Sequence, residues 1–293
     1  KILNPLGEDT SIMRTTTLPS MLEVLGRNWN NRSKAAWLYE LGRIYMPKTS
    51  TTPVDAGDPA LTTAKERLEN MGLSGFTEAL VDAVNDMGRD DGLADEAQIL
   101  TLGAYGGGMD FFTIKGAIEA LLKSIRAKDV RFEPCAEDPS YHPGRCAYVY
   151  SGTDIVGVFG QIHPLAAQNF GVDGELYCAE LSFDELLMAQ GPDPEYAPLP
   201  KFPAVTRDIA VVCGEEVSVG ALEAAIRRGA KGLLKEVSLF DIYRGKNLGE
   251  NRKSVAFNLV LRADDRSLTS EEADADVKSI LETLERDCGA VLR

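Results

Sequence analysis

The sequence has little from which a metal centre or a disulfide framework could be built. It contains two histidines, His142 and His163, each followed by proline, and five scattered cysteines with no Cys-x-x-Cys pair. An odd number of unpaired cysteines is typical of a reducing compartment and not of a disulfide-bonded secreted domain. We therefore expect a cytoplasmic protein without a zinc ribbon, and we interpret both histidines as loop residues.

Long apolar runs are also missing, since no stretch approaches the roughly 20 residues that a membrane-spanning helix needs. Nothing at the N-terminus resembles a signal peptide. The sequence begins at Lys1 and not at methionine, so we expect it to be part of a longer chain. Its 293 residues, 44% of them hydrophobic, suffice for two ordinary globular domains.

Basic charge is scarce and unevenly distributed. The formal net charge is −14, of which residues 1–195 carry −13 and residues 196–293 carry −1. An acidic body disfavours non-specific attachment to nucleic acid, DNA included, because it repels phosphates. Any contact with RNA must therefore come from a local basic surface in the C-terminal part.

A proline-rich segment, residues 190–203, separates two regions of different pattern. Five of its fourteen positions are proline, which fixes φ and removes backbone donors, so we predict an extended linker with a domain boundary near residue 194. Residues 1–193 alternate between helix and strand patterns, which predicts an α+β domain with a mainly antiparallel sheet. Within it, residues 57–95 are acidic, and we predict amphipathic helices around Thr62–Met71 and Phe76–Met87.

The elements predicted for the first domain are marked by caps and periodicity. They are a helix from Pro19, a strand over 35–45, a helix capped by Asp110, strands over 146–150 and 155–161, a strand over 175–181 and a helix capped by Ser182. The glycine-dense segment Gly103–Gly108 lacks the Gly-Lys-Ser/Thr ending of a phosphate-binding loop. We interpret it as a flexible turn between a strand and a helix.

Residues 194–293 give a simpler order, βαββαβ, which is typical of a ferredoxin-like domain. The predicted strands cover 208–213, 236–243, 254–262 and 290–292. Ser218 is expected to cap the first helix, and a Thr269-x-x-Glu272 capping box to open the second, which ends at Gly289.

Short strings in order along the chain carry a family resemblance. In the first domain they are Asn4-Pro5-Leu6, Met13-Arg14-Thr15, Leu18-Pro19-x-Met21-Leu22, Arg27-Asn28, Leu38–Arg43, Asp110–Gly116, His142–Ala147 and Gly157–Pro164. In the second they are Lys201-Phe202-Pro203, Arg207-Asp208, Phe240–Gly245, Lys253-Ser254 and Leu268–Glu272. Together they resemble the C-terminal part of the β subunit of bacterial phenylalanine–tRNA ligase. The segment 57–95 departs from the resemblance, and we interpret it as an insertion.

The resemblance implies a class II synthetase-like core, catalytically silent, followed by a ferredoxin-fold anticodon-binding domain. It also implies partners: the catalytic α subunit, in an α2β2 heterotetramer, and phenylalanine tRNA, with no membrane or DNA. ATP and Mg²⁺ would be used by the holoenzyme, with no cofactor in this part of the β chain. Independently, adenylate formation needs cations at the α-phosphate, usually arginines, and Arg43 lacks the Arg-x-Glu order of class II enzymes. We therefore predict no catalytic residue here.

Recognition of single-stranded RNA needs cations for phosphates and flat side chains for bases. The candidates lie at predicted strand ends and in the loop between the second and third strands of the C-terminal domain. They are Arg207, Tyr243, Arg244, Lys246, Arg252 and Lys253. Alternation along a regular strand would assign Phe240 to the core and Tyr243 to the RNA side. We expect Asp208 to pair with a nearby arginine.

Two other functions stay open at this point. A ferredoxin-like domain could sense an amino acid within a regulatory protein, in which case an amino acid and not tRNA would change its stability. A free-standing ATP-dependent ligase is a third possibility, but it conflicts with the missing pair of phosphate-binding arginines.

Overall fold

The computed structural model describes residues 2, 4–8, 11–47, 94–196 and 198–293, with the side chain of Lys246 excepted. The helices predicted around Thr62–Met71 and Phe76–Met87 lie outside these residues. Contacts divide the chain into two compact units, Lys1–Pro192 and Asp193–Arg293. None of the described helices is long and apolar enough to cross a membrane.

The first unit is an α+β domain, as the alternating sequence pattern predicted. Its described strands are β1 (Ala35–Pro47), β2 (Ala94–Gly106), β3 (Val130–Pro134), β4 (Tyr141–Ser151), β5 (Asp154–Ile162) and β6 (Tyr177–Ser182). Its described helices are α1 (Leu18–Asn30), α2 (Phe111–Ser124), α3 (Pro164–Asn169) and α4 (Phe183–Ala189). The strands form one six-stranded sheet in the order β1-β2-β6-β5-β4-β3, and neighbouring described strands pair antiparallel. The strand β3 and the helix α3 were not among the predicted elements.

Helices cover both faces of this sheet over its central strands. Since successive side chains of a strand point to opposite faces, each central strand contributes to a cluster on either side. On one face α1 buries Leu22 and Leu25 against Tyr105 and Cys178. On the other face α2 and α4 bury a second cluster that includes Ile118 and Phe159. The sheet is therefore the middle layer of three.

A carboxylate fastens α1 to the sheet. Glu180 on β6 accepts hydrogen bonds through Oε1 from the Thr16 hydroxyl at 2.6 Å and from the backbone N–H groups of Thr17 and Leu18 at 2.8 and 3.1 Å. A negative charge at this position satisfies free N–H groups at a helix start and complements the helix dipole. Glu180 thus has a structural role in the core.

The strand β2 changes two expectations. It begins at Ala94, opposite Pro47, so residues 94 and 95, assigned to the insertion in the sequence analysis, belong to the core sheet. It also runs through Gly103 and Gly106, which confines the turn to the residues before α2. A Cβ on Gly103 would lie 2.6 Å from the Met21 side chain, so glycine here allows α1 to approach the sheet closely.

The paired ends of β1 and β2 predict that residues 48–93 can be excised. Pro47 and Ala94 are register partners, and partners in an antiparallel pair are about 5 Å apart, which an Asn-Gly turn spans. Replacing 48–93 by Asn-Gly should leave cooperative melting intact, with a Tm within a few degrees of the parent chain. Loss of the cooperative transition in calorimetry would show that the segment contributes to core packing.

The second unit is ferredoxin-like, as predicted, with the chain order βαββαβ. Its elements are β7 (Val205–Gly214), α5 (Val219–Gly229), β8 (Leu234–Tyr243), β9 (Arg252–Leu261), α6 (Ser270–Cys288) and β10 (Val291–Leu292). A short 3-10 helix, Lys246–Leu248, lies between β8 and β9. The four strands form an antiparallel sheet in the order β10-β7-β9-β8.

The two helices of this unit cover one face of its sheet. Leu222 and Ile226 of α5 and Ile280 of α6 pack on strand residues that include Val255 and Phe257. The predicted caps are confirmed: Ser218 accepts from the Ala221 N–H, the capping box Thr269–Glu272 is complete, and Gly289 ends α6 with φ +60°. The opposite face of the sheet has no helix over it among the described residues.

The assignment of Phe240 to the core is wrong. Leu239 pairs with Phe257 and Asp241 with Ala256, so Phe240 is an extra residue in a β-bulge. A bulge interrupts the alternation from which its burial was inferred. The Phe240 side chain is 60% exposed.

Candidate nucleic-acid interface

Four of the predicted residues belong to the hairpin between β8 and β9. Tyr243 ends β8, Arg244 follows it, and Arg252 begins β9 opposite Gly214. Lys246 begins the 3-10 helix of the same loop. Gly249 and Asn251 adopt positive φ values of 89° and 57°, which bring the chain back into the sheet. The hairpin is therefore a basic loop.

Arg244 is held by an acidic residue of the neighbouring loop. Its Nε and Nη2 atoms donate to Oε1 of Glu215 at 2.9 and 2.7 Å. These hydrogen bonds lower the pKa of the Glu215 carboxyl and raise that of the Arg244 guanidinium, so both are charged at neutral pH. The pair is lost only as the pH falls through the lowered pKa of Glu215. An incoming phosphate must compete with Glu215 for Arg244.

Arg252 and Lys253 differ in availability although they are adjacent in sequence. Arg252 is exposed and has no ion pair with any described residue. Lys253 is only 6% exposed, and its ammonium group donates to the backbone carbonyl of Glu215 at 2.8 Å. Adjacent strand residues point to opposite faces, which puts Arg252 on the open face and Lys253 on the helix side. The Lys253 side chain therefore stabilises the Glu215 loop.

Arg207 is not brought together with the hairpin. Its Nε donates to Oδ1 of Asp274 on α6 at 2.9 Å, and it pairs in register with Leu259, far along β9 from Arg252. Asp208, which we expected to bind an arginine, accepts instead from the Asn258 side-chain amide at 2.7 Å. That expectation is wrong because the arginine nearest in sequence lies on the other face.

The open face of the sheet also holds Arg293, which was not among the predicted RNA contacts. The Arg293 guanidinium lies 5.1 Å from the centre of the Tyr243 ring, a cation–π contact. The backbone N–H of Arg293 donates to Ala210 on β7, so its side chain reaches across the sheet to Tyr243 on β8. Phe240, which strand alternation assigned to the core, is exposed in the bulge of β8. The pairing of strands in a ferredoxin-like sheet was the signal that could have found Arg293.

The core presents arginines that are neutralised. Arg43 bonds Glu96 across the β1–β2 pair, and Arg14 bonds Glu40 at 2.7 Å. Arg145 donates to Gln161 and to Glu175, whose pKa is lowered by hydrogen bonds from Tyr177 and Arg145. In the part of the chain that the structure describes, no group of three or more His, Cys, Asp or Glu side chains is placed to bind a metal.

Among the described residues of the core, a row of large apolar side chains on β1 is exposed. Trp37, Tyr39 and Leu41 alternate along the edge strand β1 and are 55%, 78% and 48% exposed. A groove of about 190 Å³ lies beside Trp37 and Tyr39, and α2 forms its other wall through Ile114 and Ala117. We call Trp37, Tyr39 and Leu41 the β1 stripe. Alternating exposed apolar residues on an edge strand are typical of an interaction surface.

The second unit has the ferredoxin-like order βαββαβ, with an open sheet face and a basic hairpin. In agreement, residues 200–293 match the family described as "Ferredoxin-fold anticodon binding domain". Residues 1–183 match the family "Phenylalanyl tRNA synthetase beta chain CLM domain". The chain belongs to the phenylalanyl-tRNA synthetase beta chain family.

Curated relatives agree along the whole chain. The phenylalanine–tRNA ligase beta subunits of Clostridium tetani and Symbiobacterium thermophilum are 35% and 36% identical over 100% of this chain, which covers 32% and 29% of them. That of Bacillus subtilis is 32% identical over 99% of the chain and is covered to 32%. The chain thus spans about a third of the length of these relatives. Among solved structures, a pyrrolysyl tRNA synthetase of Desulfitobacterium hafniense gives 10% identity and a TM-score of 0.41, covering 63% of this chain and 52% of that one.

Proposed function

We propose that this chain is the part of a phenylalanine–tRNA ligase β subunit that binds the anticodon region of phenylalanine tRNA and supports the catalytic α subunit. The observation that carries the proposal is the open sheet face of the second unit, where Tyr243 and Arg293 adjoin the basic hairpin, with the exposed Phe240 in the bulge of the same strand as Tyr243. Flat rings stack on unpaired bases, and guanidinium groups bind phosphates. The regulatory alternative has no support from the relatives.

The electrostatics favour a localised contact. A chain of net charge −14 repels phosphate in general, so a bound RNA gains attraction only where cations are presented without acidic partners. Arg252 meets that condition among the described residues, while Arg244 meets it once Glu215 is displaced. This arrangement favours RNA that fits the hairpin over RNA that merely carries charge.

The core is proposed to support catalysis without performing it. Arg14 and Arg43 already bind carboxylates, so these two arginines are poor partners for a transferring phosphate. ATP and Mg²⁺ would accordingly be bound by the α subunit, in the cytoplasm. This part of the chain would contribute a scaffold and an RNA contact.

The β1 stripe is the proposed contact with the α subunit. Three large apolar side chains on an edge strand are exposed to water in this chain, and contact with a partner would bury their surface with a gain in free energy. The neighbouring groove between β1 and α2 would receive an apolar side chain of that subunit. Aromatic anchors in such pockets contribute much of the binding energy of an interface.

The ion pair at the hairpin predicts a gain of RNA binding. Replacing Glu215 by Gln removes a negative charge near the phosphate path and frees Arg244. We expect the full ligase to bind phenylalanine tRNA about two- to fivefold more tightly, with a steeper salt dependence. Fluorescence anisotropy of labelled tRNA at several salt concentrations measures both. Glu282→Gln on α6 is the matched control and should change neither; weaker or unchanged binding of Glu215→Gln would contradict an RNA path past Arg244.

A further inference from the structure

A cavity with both apolar and charged lining residues lies at the end of the second sheet that is opposite to the hairpin. Its volume is about 310 Å³, near the lower limit for pockets that bind small ligands. Residues of the linker form one wall, and residues that follow β9 form the other. The lining residues are Pro198, Leu199, Pro200, Lys201, Phe202, Arg262, Ala263 and Asp264.

The side chain of Arg262, in the wall of this cavity, has an N–H group without a hydrogen-bond acceptor among the described residues. Its backbone N–H continues the sheet by donating to Leu233, but its side-chain Nε is buried and has no hydrogen-bond partner among the described residues. Asp264, the carboxylate in the wall, is bound to Lys235 at 2.8 Å. A buried N–H of a guanidinium without an acceptor is unfavourable, so the site favours a ligand that supplies an oxygen.

The charged and aromatic lining residues indicate which class of ligand fits the cavity. The lining carries two positive charges, on Arg262 and Lys201, and one negative charge, on Asp264, which is already paired with Lys235 outside the lining. The cavity is therefore locally basic in an acidic protein. The half-buried Phe202 adds a flat ring beside these cations. Cations next to an aromatic ring are the combination that binds a phosphate and a stacked base of single-stranded RNA.

The cavity and the hairpin lie at opposite ends of β9, on the same proposed RNA face. Arg262 continues the even-numbered register of β9 that places Arg252 on the open face. Nine residues of strand separate Arg252 from Leu261, or about 30 Å at 3.4 Å per residue. An RNA strand lying along β9 would reach both ends of the sheet.

We propose that this cavity is a second RNA subsite, in which Arg262 and Lys201 bind a backbone phosphate and Phe202 stacks on the adjoining base. The inference rests on the proposed function, since it assigns a further contact to the same RNA. It goes beyond the hairpin because it lies at the other end of the domain and uses the linker as part of the site.

The test uses the full ligase, with complete β and α subunits, and fluorescently labelled phenylalanine tRNA. Arg262→Gln should weaken binding about tenfold at moderate salt and reduce the slope of log K against log salt by about 0.7, the value for one phosphate on a single strand. Arg262→Lys should restore most of the slope. Lys201→Gln, on an exposed side chain, should lower the slope with an unchanged Tm, so the proposal stays testable if Arg262→Gln is unstable.

Arg286→Gln on α6 removes the same charge from the helix side and should leave the slope unchanged. If Arg262→Gln and Lys201→Gln both bind tRNA with the parent slope while hairpin variants bind weakly, the second subsite is wrong and the proposed function stands. If hairpin variants also bind like the parent, the RNA face itself is wrong. A slope reduced equally by Arg286→Gln would show a general charge effect and would overturn the subsite.

Discussion

Replacing Arg244, Lys246 and Arg252 together by alanine should raise the tRNA KM of aminoacylation on the order of 100-fold in the full ligase. Hydrogen bonds between charged groups are worth more than neutral ones, and three lost contacts multiply. The salt slope should fall by about two units, because each phosphate contact on single-stranded RNA contributes about 0.7. Pyrophosphate exchange with phenylalanine and ATP should be unchanged, since that chemistry is assigned to the α subunit.

The control for this variant removes the same three charges elsewhere in the domain. Arg227, Lys278 and Arg286 are exposed on the two helices, away from the open sheet face, and their replacement by alanine should leave KM and slope near the parent values. Equal effects of the two triple variants would mean that only net charge matters. A parent-like KM for the hairpin variant at every salt concentration would exclude the hairpin as the RNA contact.

Stacking is expected to behave differently from charge. Phe240→Ala and Tyr243→Ala should each weaken tRNA binding about 5- to 160-fold, which corresponds to the roughly 1–3 kcal/mol of a stacked base, without changing the salt slope. Tyr243→Phe should retain most of the affinity, because a phenylalanine ring can still stack on a base and still contact the Arg293 guanidinium.

The second large effect is expected at the β1 stripe. Replacing Trp37 and Tyr39 by glutamate should weaken association with the α subunit by at least about 100-fold, because central aromatic anchors are lost and charges enter an apolar contact. Sedimentation of mixed subunits measures it. Both side chains are largely exposed in this chain, so its Tm should change little.

Leu165→Glu supplies the control for that experiment, since Leu165 is an exposed apolar residue on α3, outside β1. It should assemble with the α subunit like the parent. Normal assembly of the Trp37/Tyr39 variant would remove the β1 stripe from the subunit interface.

Most of the fold could be predicted from local signals. Caps at Asp110, Ser218 and Thr269 and the glycine at 289 determine helix ends through contacts within a few residues, so short sequence patterns located them. The strand β2 was harder, because its start at Ala94 follows a long acidic segment and its pairing partner is 47 positions earlier. Only the tertiary pairing defines that boundary.

The site was less predictable because it depends on which face each side chain occupies. A bulge moved Phe240 out of the core, and burial removed Lys253 from the surface although its neighbour Arg252 is exposed. Arg293 reaches Tyr243 only because β10 and β8 belong to one sheet. The charged and aromatic residues could be listed from the sequence. Which of them share one face of the sheet could be predicted only with the strand order and register.

The most direct test of an anticodon-binding role is a photochemical cross-link from position 243. The full ligase carrying p-benzoylphenylalanine in place of Tyr243 is irradiated with phenylalanine tRNA, and the cross-linked nucleotide is mapped by primer extension. The same substitution at Phe112, an exposed ring on α2 of the core, serves as the comparison. The proposed function predicts a cross-link from position 243 to the anticodon loop and none there from position 112. A cross-link from position 243 to the acceptor arm only, or none at all under conditions in which tRNA is bound, would contradict it.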